Sequence, residues 1–250
     1  DTTGVMLRAA REEHLGNRDV YEMFSRLPFR DSIDPVSGER PYVQRNPAHD
    51  GTKSREPNVP AYILAGWWDP FVRDAFAWFA NISGPKKLVV GPWAHSGSAG
   101  FDLGEEHVRW FDRWLKGQED ADTGAPVRLF VMGGGAGGKS ADGRLAHGGC
   151  WHLLDNWPDR ETQNTAFYLH VDGSLSTQPP KDAASSTTYT YDPHETVSAL
   201  GTCEVPYWPW AVGEPAAMGP HDQVEVPTLP GHGFPGMPIS SRPDVLWYQT

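Results

Sequence analysis

The sequence has few cysteines, few basic residues relative to acidic ones, and no long apolar run. Its two cysteines, Cys150 and Cys203, are too few for a disulfide framework, although they are enough for one disulfide bond. The sequence has 32 acidic and 21 basic residues, so its formal charge is -11. This negative charge argues against nucleic acid as a partner. No apolar run approaches the roughly 20 residues that a membrane-spanning helix requires. Residues 1–10 lack a targeting pattern, so we expect a soluble protein without a membrane partner.

Aromatic and loop-forming residues are plentiful instead. The 11 Trp, 10 Phe and 8 Tyr supply enough apolar surface for one large core or two smaller ones, while 27 Gly and 23 Pro predict many loops. The chain starts at Asp1 and ends in a strand-like stretch, 244–250, without a stop signal. We therefore expect the chain to be a fragment of a longer protein, cut at both ends. The absent start and the few cysteines favour the cytoplasm over secretion, but they leave the compartment open.

The middle of the chain alternates between strand and helix patterns. Short apolar runs at 61–66, 87–91 and 127–132 are typical of strands buried in a parallel sheet. Amphipathic stretches at 71–79 and 105–116 predict the helices between them. This order predicts an α/β fold with crossover connections.

The two ends of the chain have different patterns. Residues 8–27 are charged and helix-favouring, which predicts one or two surface helices, and the proline-rich stretch 28–60 predicts irregular structure. From about residue 160 the pattern is all-β and predicts a second domain of sandwich type. Its signals are strands at 165–170 and 187–191 and a turn at Asp172-Gly173.

Two polar residues follow consecutive strands of the predicted sheet. Asp69 lies three positions past the 61–66 strand, and His95 lies four positions past the 87–91 strand. Functional groups of open parallel sheets collect at the carboxyl ends of the strands, so both side chains are expected at one edge. An acid followed by a histidine is the second half of the Ser, Asp, His order of α/β-hydrolases. The pair is therefore a candidate acid and base.

Simpler interpretations exist for these and other residues. Asp69 precedes Pro70, as a helix N-cap does, and capping does not forbid catalysis. An isolated loop histidine such as His95 is often incidental. The glycine run 133–138 lacks the Lys-Ser/Thr helix start of a phosphate-binding loop and is predicted to be a loop. The ten histidines show no HExxH pattern and two cysteines cannot form a Cys-rich zinc site, so no metal is expected.

Four motifs in order resemble the CocE/NonD group of α/β-hydrolases, which includes cocaine esterase and X-prolyl dipeptidyl-peptidase relatives. They are VPAYILAGWWDPF at 59–71, KLVVGPWAHS at 87–96, RWFDRWLKG at 109–117 and PVRLFVMG at 126–133. Further similarity lies in EHLGNRD at 13–19, which resembles part of the family's helical cap, and in FYLHVDGSL at 167–175, YDP at 191–193 and RPDVL at 242–246, which resemble its jelly-roll domain. The resemblance spans nearly the whole chain.

The resemblance implies a domain organisation and a chemistry. Residues 1–57 are expected to form part of a helical cap, 58–160 the C-terminal part of an α/β-hydrolase core, and 161–250 an incomplete jelly-roll β-sandwich. The family is one of serine hydrolases of ester or amide bonds that need no cofactor, with Asp69 as the triad acid and His95 as the general base.

The same resemblance implies that three aromatic residues, Trp67, Trp68 and Phe71, line a pocket for an acyl or aromatic substrate group. All three flank the acid. Ordinary core packing beside a strand end is the alternative interpretation, because large aromatic rings commonly fill such positions.

The triad serine is missing from the sequence. No Gly-x-Ser-x-Gly-like elbow occurs, and Ser96 and Ser98 follow the histidine in a polar loop rather than joining a strand to a helix. In the family, the nucleophile and an oxyanion-hole tyrosine lie upstream of the cap, in a part that this chain does not contain. We therefore expect the serine to lie outside this chain and the chain alone to be inactive.

Two other functions remain open. A small acyl ester or amide substrate is favoured over an X-prolyl dipeptide, because no anionic anchor for a substrate's amino terminus is identified. A non-catalytic module is the competing class: Trp208 and Trp210 could stack on carbohydrate or contact another subunit, although packing between domains explains them equally well. A homo-oligomer is compatible with the sequence.

Overall fold

The computed structural model describes residues 3–44, 58–95, 101–139, 144–181, 185–197, 200, 219–224 and 236–250. The chain divides into two units, Asp1–Pro57 and Asn58–Thr250. Among the described residues, no helix is both long and apolar enough to cross a membrane.

The described part of the first unit, residues 3–44, contains three helices. The side chain of Asp19 accepts a hydrogen bond from the Glu22 N–H at 3.0 Å and caps the second of them. One or two helices were expected within 8–27, and the third lies in the stretch that was predicted to be irregular. Their bounds are α1, Val5–His14; α2, Val20–Ser25; and α3, Pro41–Gln44.

A buried carboxylate joins Arg18 to the turn that follows Asp34 in the first unit. Asp34 is 1% exposed and accepts hydrogen bonds from both terminal nitrogens of Arg18 and from the Ser37 hydroxyl. The Arg18 guanidinium, followed by Ser37, holds the pKa of Asp34 well below its ordinary value. Sequence patterns did not single out Asp34, because it lies in a loop without periodicity.

The second unit begins with a mixed four-stranded sheet in the order β1-β2-β3-β4. The first three strands are parallel, as predicted, and β4 pairs with β3 in the antiparallel direction. Strand β4 was not predicted, because its residues CWHLL show no clear alternation of polar and apolar positions. The bounds are β1, Ala61–Trp68; α4, Val72–Asn81; β2, Lys86–Ala94; α5, Gly104–Leu115; β3, Val127–Val131; and β4, Cys150–Leu154.

Strand β2 lies at the centre of the apolar core. Leu88 and Val90 point to one face and pack with Phe79 of α4, while Val89 points to the other face with Trp93 and Leu103. Leu88, Val89 and Val90 are fully buried. Burial on both faces explains why β2 reads as a continuous apolar run rather than as an alternating one.

The described part of the C-terminal region contains one small hairpin. Strands β5, Tyr168–Leu169, and β6, Leu175–Ser176, pair in the antiparallel direction around the predicted turn at Asp172-Gly173. The strand predicted at 187–191 is wrong: these residues are exposed and not in a strand. Their Thr/Tyr alternation fits a strand, but no neighbouring strand of the described region pairs with them. The β-sandwich stays a prediction.

Candidate active site

The carboxyl ends of β1 and β2 form the candidate site. Both strands are longer than predicted: β1 ends at Trp68 and β2 at Ala94, and these two residues pair with each other. Glycine often ends regular structure, which predicts strand ends at Gly66 and Gly91, but both glycines lie inside the strands. Asp69 and His95 are therefore the next residues on neighbouring strands.

The structure brings these two side chains together. His95 Nδ1 lies 3.2 Å from Asp69 Oδ2. The other oxygen, Asp69 Oδ1, accepts a hydrogen bond from the Phe71 N–H at 2.8 Å. The Asp69 side chain is 10% exposed and that of His95 is 45% exposed. The carboxylate is thus held between the sheet and the turn, while the imidazole reaches solvent.

The expected N-cap role of Asp69 needs a correction. Helix α4 begins at Val72, and Phe71 occupies its N-cap position without a side-chain cap. The Asp69 carboxylate therefore stabilises the turn before the helix, as Asp side chains do when they accept from the backbone two residues later. This contact uses one oxygen and leaves the second for His95.

The donor and acceptor atoms of this pair are arranged as in a general base and the acid that orients it. An ionised carboxylate can only accept, so a hydrogen bond between these atoms requires the proton to be on Nδ1 of His95. The neutral ring then presents the lone pair of Nε2, which can take a proton from an alcohol. Such a pair lacks only a hydroxyl to form a triad.

Among the three aromatic candidates, Phe71 lies against the histidine. Its ring centroid is 5.3 Å from that of His95, and it is 55% exposed. Trp67 donates its indole N–H to the carbonyl of Phe130 at 2.7 Å and packs against the core, which is the alternative interpretation of this residue. Trp68 is half-buried, with its ring 5.6 Å from that of His147.

A second polar cluster is buried on the sheet and was missed by the sequence analysis. Glu106 of α5 pairs with Lys87 at 3.0 Å and with Arg128 at 2.6 Å, and it accepts from the Tyr62 hydroxyl at 3.0 Å. Lys87 also donates to the Thr123 carbonyl. The sequence signal for this cluster was Lys87 at the start of an apolar strand. A charge at a buried position needs a partner.

The electrostatics of this cluster follow from burial and pairing. Burial raises the pKa of Glu106, but the hydrogen bonds and charge of Lys87, together with Tyr62 and Arg128, outweigh it, so the net pKa is lowered. The pKa of Tyr62 is raised, mainly by burial and next by the charge of Glu106. Glu106 is therefore an ionised anchor between α5 and the sheet.

Other candidate residues lie outside the part of the chain that the structure describes. These are Ser96, Ser98, Trp208 and Trp210. Within the described ranges, no group of three or more His, Cys, Asp or Glu side chains is arranged to hold a metal ion.

Two protein-family models match the chain. Residues 7–97 match the family described as X-Pro dipeptidyl-peptidase (S15 family). Residues 119–250 match the family described as X-Pro dipeptidyl-peptidase C-terminal non-catalytic domain. The first match contains both Asp69 and His95.

Individual proteins are similar as well. The chain is 31% identical over 218 residues to cocaine esterase of Rhodococcus sp. (strain MB1 Bresler), a match that covers 77% of this chain and 32% of the relative. A solved CocE/NonD family hydrolase from Staphylococcus aureus matches with a TM-score of 0.39 and 19% identity, covering 48% of this chain and 21% of the other. The chain thus spans about a third of the curated relative's length.

Proposed function

Since this chain belongs to the CocE/NonD family of α/β-hydrolases, we propose that it supplies the acid and the base of a Ser-His-Asp triad in a serine hydrolase. The observation that carries the proposal is the contact between Asp69 Oδ2 and His95 Nδ1 at the ends of two paired strands. The substrates are small molecules with an ester or amide bond.

The proposed reaction is acyl transfer in two halves. His95 Nε2 takes the serine proton as the serine oxygen bonds to the substrate carbonyl carbon, and it returns this proton to the leaving alcohol or amine as the bond to that group breaks. Water then enters, loses a proton to the same nitrogen and releases the acid, while the proton returns to the serine. Asp69 holds the Nδ1–H tautomer and stabilises the imidazolium in each half.

We place the serine outside this chain. The sequence lacks a nucleophile elbow, and the chain corresponds to 32% of the length of its esterase relative. The chain alone is then inactive, because loss of the nucleophile removes most of the rate enhancement of a triad.

Esters are the proposed first substrates, because the relative at 31% identity is named a cocaine esterase. A second candidate is cleavage of X-prolyl peptides, which the descriptions of both matching family models favour. Phe71, exposed beside His95, is the proposed contact for the acyl group, and Trp68 is a further lining residue.

We retain the domain assignment as part of this proposal. Residues 1–57 correspond to part of a cap, 58–160 to the C-terminal part of the hydrolase core, and 161–250 to a jelly-roll region. The match of residues 119–250 to a C-terminal non-catalytic domain includes this last region and also residues 119–160 of the core range.

A fluorophosphonate probe tests the proposed function on the full-length protein that carries this chain and the proposed serine. We expect the wild-type protein to be labelled at a serine outside these 250 residues and His95→Ala to lose the labelling, because the serine is no longer deprotonated. The control is His170→Ala, which removes a histidine that is hydrogen-bonded to the Ser176 hydroxyl and should be labelled like wild type.

Two results would remove the proposal. One is a wild-type protein that the probe does not label, and the other is undiminished labelling of His95→Ala. Peptide mapping that places the label on Ser96 or Ser98 would instead refute the location that we propose for the nucleophile.

A further inference from the structure

One extra residue on β2 brings His95 level with Asp69. From Ala61 with Lys86 to Gly66 with Gly91 the strands pair residue by residue, but the next pair is Trp68 with Ala94. If the first register continued, Trp93 would face Trp68 and Ala94 would face Asp69. The irregularity between Gly66 and Trp68 is thus a β-bulge, and it shifts His95 into line with the carboxylate.

Two glycines provide the space for this bulge. A Cβ atom on Gly66 would lie 1.9 Å from the carbonyl oxygen of Trp93, and one on Gly91 would lie 1.9 Å from Cζ3 of the Trp93 ring. Neither glycine has a positive φ, so the requirement is for space and not for an unusual backbone conformation. Any larger residue would have to move Trp93.

Trp93 is held in place by its neighbours. It is 5% exposed and packs with Val89 and Leu103. Its ring centroid is 5.4 Å from that of Phe101 and 5.8 Å from that of Trp151. Because this aromatic packing fixes the ring, a side chain at Gly91 cannot be accommodated by a simple rotation of Trp93.

The residue between Gly91 and Trp93 adds to the irregularity. Pro92 has no N–H and cannot donate to a neighbouring strand, so regular pairing is interrupted at this position. The bulge therefore depends on three features: Pro92 lacks an N–H donor, two glycines leave space, and the Trp93 ring is fixed by its neighbours.

We propose that Gly66, Gly91 and Trp93 act as positioning residues that set the distance between His95 and Asp69. The three residues do not touch the substrate; they act through the path of the backbone into His95. The inference rests on the proposed function for its catalytic meaning, but the alignment of the two side chains can be measured without turnover.

The test compares Gly91→Ala with the control Gly134→Ala. Gly134 also lacks a positive φ, and a Cβ there would meet nothing within 4 Å. In this chain labelled with ¹⁵N-histidine, the ring nitrogen shifts of neutral His95 report the tautomer. We expect the wild type and Gly134→Ala to hold the proton on Nδ1, and Gly91→Ala to lose this preference. In the full-length protein, kcat/KM should fall about 10²-fold in Gly91→Ala alone.

The double variant Gly91→Ala/Trp93→Leu keeps the test decisive if Gly91→Ala unfolds. Removal of the indole makes room for the new methyl group, so the double variant should refold and regain part of the Nδ1–H preference. Failure of this rescue would overturn the steric basis of the proposal.

The remaining outcomes separate the two proposals. An unchanged His95 tautomer in folded Gly91→Ala would overturn the positioning role. A changed tautomer with unchanged turnover would support the positioning role and contradict the catalytic function of the pair.

Discussion

Asp69 uses its two carboxylate oxygens for different partners. One accepts from the Phe71 N–H at 2.8 Å and the other meets His95 Nδ1 at 3.2 Å. Because the first contact fixes the carboxylate group, the second oxygen is presented to the imidazole without a choice of rotamer. A structural role and the proposed orienting role therefore coexist in one side chain.

Phe71 offers a test of the substrate pocket. We expect Phe71→Ala to lower kcat/KM of the full-length protein for aromatic esters roughly tenfold, mainly through KM, since about 1.5 kcal/mol of apolar contact is lost. Steady-state hydrolysis of an aryl ester measures the effect. Phe167 is a matched control, because it is 53% exposed against 55% for Phe71.

Phe167→Ala should leave both kinetic constants near the wild-type values. Equal losses in the two variants, or a Phe71→Ala protein that behaves like wild type, would remove Phe71 from the pocket.

At the scale of elements, helix α5 is tied to the sheet by charge as well as by apolar packing. Glu106 lies between Lys87 of β2 and Arg128 of β3. The Lys87 side chain is 4% exposed, so its ammonium depends on Glu106 for a counter-charge. Removal of one partner from a buried pair is more damaging than the pair itself is stabilising.

We expect Glu106→Gln to lower the free energy of unfolding by about 3 kcal/mol, because it leaves the Lys87 charge buried without its partner. Urea denaturation followed by tryptophan fluorescence measures this, since all 11 tryptophans lie after residue 58. Glu105→Gln is the control: Glu105 is 90% exposed and 3.5 Å from Arg109, so its loss should change stability by at most about 0.5 kcal/mol.

The effect of Glu106 also depends on pH. Its folded-state pKa is lowered, so its stabilising contribution is complete above the unfolded-state pKa of about 4.3 and is lost as the pH falls below it. The difference in stability between wild type and Glu106→Gln should therefore shrink in acid. A difference that is absent at neutral pH, or that grows in acid, would contradict the anchor role.

At the scale of the whole molecule, sequence patterns predicted the strand and helix order of the central region. Strands such as β2 were found because burial on both faces leaves a continuous apolar run, and the order of strands then placed Asp69 and His95 at one edge. Only the structure shows the bulge that aligns them, because the register shift depends on how Trp93 packs with Val89 and Leu103.

Other features escaped prediction because they depend on contacts distant in sequence. Strand β4 forms against β3, and Glu106 finds its partners on three strands. For residues 187–191 the sequence predicted a strand that the structure does not contain. Their alternation is a local pattern, whereas a strand also needs a neighbouring strand. Local patterns thus located Asp69 and His95 but not the cluster that anchors α5.

Asp69→Asn tests the central claim most directly, in steady-state ester hydrolysis by the full-length protein. The amide oxygen can still accept from the Phe71 N–H, but the NH₂ group would face Nδ1 of His95 and favour the wrong tautomer. We predict an intact fold and a kcat lowered by roughly 10⁴-fold, as for the same change in a protease triad. Asp74→Asn, in the first turn of α4, should turn over normally. A near-normal kcat in Asp69→Asn would contradict the proposed triad.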